Sequence, residues 1–139
     1  MKNKNSENAV CSSHDEDDLI TDNGVEMLYI LNPVRAALAS LTENDGGYDQ
    51  DKDEGIIRGC DMKIQEAIEL SDEIDAINPR NVLVKDDVIK ILGVLHLVKG
   101  ALDALVMGCF RTEEAQGVVS GCEMQTWKAL KLVDKIMSP

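Results

Sequence analysis

The sequence predicts an all-α fold, a four-helix bundle built from a duplicated helical hairpin with pseudo-twofold symmetry. Apolar residues recur three and four apart over long stretches, the spacing of one helical face. Aromatic residues make up only 3% of the 139 residues, so the core falls to Leu, Ile, Val, Ala and Met, and the aromatic strands of a β-protein lack material. The third observation is internal. GIIRGCDMKIQEAIELSDEI from Gly55 returns as GVVSGCEMQTWKALKLVDKI from Gly117, at an offset of 62, and ILNPVRAALASL from Ile30 returns as VLHLVKGALDAL from Val94, at an offset of 64. Because the match repeats Gly, Cys and Met as well as the apolar period, it points to duplication of one hairpin. A lone hairpin cannot bury its apolar face, whereas two can form a bundle.

Taken in chain order, residues 1–20 are polar and include the run His14-Asp15-Glu16-Asp17-Asp18; they read as a disordered acidic tail, and residues 21–139 as a single helical bundle. The first repeat spans about residues 24–77 and the second about 86–137. Helix 1 carries the stripe Met27, Ile30, Leu31, Val34, Ala37, Leu38 and Leu41. Asn32-Pro33 interrupts it, so the helix either kinks there or restarts with Asn32 as N-cap. Glu43 to Glu54 has no apolar period and reads as an acidic loop. Helix 2 buries Ile57, Cys60, Ile64, Ala67, Ile68, Ser71 and Ile74, and stops at Asn78-Pro79. The Asp86-Asp87 pair is placed to cap helix 3, whose stripe runs from Val88 through Leu105 to Cys109. Thr112, followed by Glu113 and Glu114, reads as the N-cap of helix 4. Small residues recur within the helices: Gly-x3-Gly-Cys opens the second helix of each repeat, and Gly93, Gly100 and Gly108 lie along helix 3, where they suit close helix packing.

The net charge is −12 and uneven: residues 1–61 hold 14 acidic and 5 basic side chains, residues 62–139 hold 12 and 9. Such a surface repels nucleic acid and anionic membrane and favours a protein partner, basic where it meets the acids. With no apolar stretch after the first residues and no helix free of charge, the expectation is a cytoplasmic protein without a membrane span. The four cysteines have no CxxC spacing and read as reduced thiols, with Cys60 and Cys122 as equivalent core positions.

No nucleophile elbow, phosphate-cradling loop or dinucleotide fingerprint is present, so no enzyme activity and no cofactor are expected. Asp49, Asp51 and Asp53 have the alternate spacing of a calcium loop, but the positions for its Gly and closing Glu hold other residues, and no metal site is assigned. Cys11-x2-His14 has no second pair at zinc spacing. Asp45, Asp49, Asp51, Asp53 and Glu54 form a candidate acidic partner surface that could imitate the phosphates of a nucleic acid.

His96-Leu97-Val98-Lys99-Gly100-Ala101 resembles the His-x-Leu-Lys-Gly-Ser/Ala string of histidine-containing phosphotransfer domains, which are small helical bundles. Over about ten residues, the resemblance implies His96 as phosphoacceptor with Lys99 and Gly100 as its supports. The equivalent position in the first repeat is Asn32, so only one half could act. Three functions follow, in order: a non-catalytic interaction module that binds a protein or forms a homodimer, an acidic nucleic-acid mimic or inhibitor, and a phosphotransfer protein acting through His96.

Overall fold

The computed structural model describes residues 13–43 and 47–138 and places four helices among them. Helix α1 spans Ser13–Glu43, α2 Gln50–Ala76, α3 Val82–Val106 and α4 Thr112–Met137. Packing runs α1 on α2, α2 on α3, α3 on α4, and α4 back on α1, which is an up-down-up-down four-helix bundle. The α1–α2 and α3–α4 hairpins therefore form opposite sides of one core.

That core has the composition predicted: Met27, Leu31, Leu38, Ile64, Ile91, Leu95 and Leu102 are wholly buried. The eight residues buried on α3 map by the offset of 64 onto buried residues of α1, from Val84 and Ile20 to Leu105 and Leu41. The eight buried on α4 map by the offset of 62 onto the eight buried on α2, so that Cys122 pairs with Cys60 and Thr126 with Ile64. Polar core positions correspond too. Asn23 donates to the Glu73 carboxylate at 3.1 Å, and at the matching positions Asp87 meets the Lys135 ammonium at 3.5 Å.

Several boundaries differ from expectation. Helix α1 begins at Ser13, inside the segment read as tail; Ile20 and Asn23 are buried, and the Glu16 carboxylate accepts the Arg80 backbone N–H at 3.0 Å, so tertiary contacts supply what local hydrophobicity lacks. Residues 1–12, and with them Cys11, lie outside the described residues. At Pro33 the helix does not restart: α1 is one continuous helix with Pro33 inside it. The carbonyl of Tyr29, which Pro33 cannot serve, lies on an exposed turn where water can take the donor's place.

Helix α3 begins four residues before Asp86, because Asn81 is its N-cap and accepts from the Leu83 and Val84 N–H groups at 2.9 and 3.3 Å. Asp87 is instead buried. The far end of α3 is also shorter: Gly108 takes φ 72°, the chain leaves the helix, and Cys109 is exposed rather than part of the stripe. Helix α4 is capped by a carboxylate reaching back, Glu114 accepting the Arg111 N–H at 3.0 Å, and not by the Thr112 hydroxyl.

Candidate interaction surface

The acidic segment after α1 is largely a helix start. Asp49 is the N-cap of α2 and accepts from Asp51 and Lys52, while Asp53 turns inward, is buried, and accepts the Asp49 N–H at 2.9 Å. Glu54 binds Arg58 at 2.8 Å, which holds its carboxyl below the usual range. Of the five acids expected to form one partner surface, Asp49 and Asp51 are exposed, Asp53 and Glu54 serve the helix, and Asp45 lies outside the described residues. The acids collect here because a helix N-terminus with its unpaired N–H groups and positive dipole favours them.

Tyr48, just before the cap, was missed by periodicity. Its ring is 1% exposed and its hydroxyl donates to Gln50 at 3.0 Å. Burial, then the charges of Asp53, Glu54 and Asp49, raise its pKa. Gly47 before it has φ 66° and lies so close to Gln116 of α4 that a Cβ there would overlap that side chain. A lone aromatic at the position before an Asp cap is the sequence signal that could have found this plug.

His96 and Gly100 are both exposed on α3, but Lys99 turns away from them. Its ammonium lies 3.2 Å from Asp61 of α2 and 3.4 Å from Asp103, tying α3 to α2. Burial, then the bond with Asp103, raise the pKa of Asp61; the bond from Asp61 in turn lowers that of Asp103. Two carboxylates around the one cation make a poor seat for a dianionic phosphoryl group.

Apolar grooves run along each hairpin. One, of about 260 Å³, lies between α1 and α2, and one of about 240 Å³ lies between α3 and α4. Their linings match residue for residue: Pro33, Val34 and Ala37 of α1 stand where Leu97, Val98 and Ala101 of α3 do. On the second helices Ile56, Gly59, Cys60 and Lys63 match Val118, Gly121, Cys122 and Gln125. Between α3 and α4 the groove continues past Leu97 and Gln125 into a further 630 Å³, floored by Gly93, Val94 and Leu132 and edged by Lys90 and Lys128.

Six glycines of the helices, among them Gly59, Gly93 and Gly121 in these grooves, do not serve packing within the bundle, contrary to expectation. A Cβ added at Gly55, Gly59, Gly93, Gly100, Gly117 or Gly121 would meet nothing within 4 Å. Among the described glycines within helices, Gly24 is the one approached closely, an added Cβ falling 2.5 Å from the Met137 sulfur. Each mid-helix Gly costs about 0.5–1 kcal/mol relative to Ala, here without a steric return inside the fold.

Buried Cys60 and Cys122 sit behind the grooves. Burial, reinforced by the charge of Asp61, pushes the Cys60 thiol up to about 11. Burial and the nearby Cys60 push Cys122 up to about 12. At neutral pH both are poor nucleophiles. Among the described residues no group of three His, Cys, Asp or Glu side chains is arranged to hold a metal ion, and no helix is long and apolar enough to cross a membrane.

Comparison with protein-family models, with curated proteins and with solved structures found no match to this chain.

Proposed function

We propose that the chain is a non-catalytic protein-interaction module that docks through the apolar grooves of its hairpins. The observation that carries this reading is the pair of matched grooves, whose exposed glycine floors no contact inside the bundle requires. Open glycines beside apolar walls let an incoming side chain or backbone approach closely. Leu97, 61% exposed, extends the apolar surface of the second groove, while exposed Met124 and Trp127 stand on α4 outside its lining. Trp127 lies on the side of α4 that faces α1, against the Arg35 and Lys131 cations, 5.5 and 4.1 Å from its ring centre.

The test is capture of partners by the full chain in four forms: wild type, Leu97→Glu with Gly121→Leu, Asp49→Asn with Asp51→Asn, and His96→Gln. The groove variant should lose binding about tenfold or more while keeping its helical circular dichroism, and the other two should bind as wild type. Unimpaired binding by the folded groove variant would refute the reading. Loss confined to the Asn variant, with steep salt dependence, would favour the acidic mimic. Loss confined to His96→Gln, with an acid-labile phosphoryl group on wild type, would favour phosphotransfer.

A further inference from the structure

The two hairpins carry opposite charges at matching surface positions. Residues 13–76 contain eighteen acidic and four basic side chains, whereas residues 82–137 contain seven of each. The reversal is positional: by the offsets of 64 and 62, Glu26 stands where Lys90 does, Glu66 where Lys128 does, and Glu69 where Lys131 does. All six are exposed. The apolar floor between them is kept, with Ile30 and Leu70 half-buried on one hairpin and Val94 and Leu132 on the other. At one further position the shapes complement as well. Tyr29, 77% exposed, projects from the acidic face, and its counterpart Gly93 leaves open floor in the 630 Å³ groove of the lysine face.

We infer that the protein self-associates head to tail, with the Glu26–Tyr29–Glu66 face of one copy seated in the Lys90–Gly93–Lys128 groove of the next. This rests on the interaction-module reading and names the partner as a second copy. Lys90 and Lys128 edge an apolar groove in a chain of net charge −12, so the occupant that suits it is an apolar ridge flanked by carboxylates. Next to its own groove, the α1–α2 face of the same protein offers one at Tyr29, an exposed ring with Glu26 and Glu66 exposed on the same hairpin. Existing ion pairs do not block the contact: Lys63–Glu66 at 3.4 Å and Lys90–Asp87 at 4.0 Å are local, with exposed lysine ends that exchange at little cost. Because the two faces lie on opposite sides of the bundle, the contact is heterologous and builds rings or open filaments.

Electrostatics gives this assembly an unusual salt dependence. At about 0.01 M salt the Debye length of roughly 30 Å lets whole copies repel, at about 0.15 M it is roughly 8 Å and only facing groups interact, and at about 1 M even these are screened. Association should pass through a maximum at intermediate salt.

The experiment is sedimentation of the full chain over a concentration series at the three ionic strengths, for wild type, Glu26→Lys with Glu66→Lys, and Lys90→Glu with Lys128→Glu. Each double variant should lose self-association about tenfold or more, since like charges then face each other. An equimolar mixture of the two variants should associate again, because each then offers the other an opposite face; misfolded variants could not give that rescue. Wild type that stays monomeric at every salt, association that survives both reversals, or variants that fail to rescue each other would overturn the inference. Groove-dependent capture of a different protein by a monomeric wild type would overturn it while leaving the interaction-module reading standing.

Discussion

Lys99 shows how one side chain's neighbours decide its role. Beside His96 in the sequence it suits a phosphoryl group; in the fold it bridges Asp61 and Asp103 across α2 and α3. Lys99→Met should cost about 1–3 kcal/mol, because two carboxylates then face each other without their cation. Asp61→Asn should be neutral or stabilising at pH 7, since an amide can still accept from Lys99 and donate to Asp103. The pH dependence follows from the directions of the two shifts. Raised above 3.8 in the fold, Asp61 disfavours the folded state when charged and relieves that penalty as pH falls through its raised value. Asp103, lowered, contributes stability that is present above 3.8 and is lost as pH falls through its depressed value. In urea unfolding from neutral pH down to about pH 4, the advantage of Asp61→Asn over wild type should therefore shrink as pH falls.

At the scale of the element, the helices are set as much by their ends as by their stripes. Asn81 and Asp49 cap α3 and α2 with side-chain oxygens, and Gly108 releases the chain after α3. The stripes, by contrast, follow the apolar period, which is why the core residues of α2 and α3 were legible while their first turns were not. Helix interiors also hold glycines that the fold does not need. Gly59→Ala and Gly121→Ala should each raise stability by about 0.5–1 kcal/mol in chemical denaturation, there being nothing within 4 Å for the new methyl to meet. Destabilisation would mean that the glycines answer to the bundle itself, and would weaken the case that their openness serves a partner.

For the whole molecule, closure of the ring α1-α2-α3-α4 puts Cys60 and Cys122 inside and the two groove faces outside, on opposite sides. The thiols thereby become reporters of global opening. In native buffer near neutral pH a thiol reagent should modify Cys109 quickly and Cys60 and Cys122 only at the rate of unfolding, as read by mass spectrometry of the labelled peptides. Rapid labelling of Cys60 would show that α2 frays without global unfolding. The closed ring also segregates charge, since the acidic hairpin forms one side and the neutral, lysine-bearing hairpin the other. A sequence-wide net charge hides that separation.

The sequence by itself determined the helical class, the positions of the core stripes and the matching of the two hairpins, because apolar period and rare-residue spacing are local properties that survive without coordinates. It also held the signals for Tyr48 and the Asn81 cap, though these rest on single residues and were outweighed by the polar runs around them. Only the tertiary structure decided that α1 reaches back to Ser13, that Lys99 serves Asp61 and Asp103, that Asp53 is buried, and that the helical glycines are open. Each of these depends on which distant groups a side chain meets. Such long-range meetings are fixed by the packing of four helices together, and no single stretch of chain encodes them.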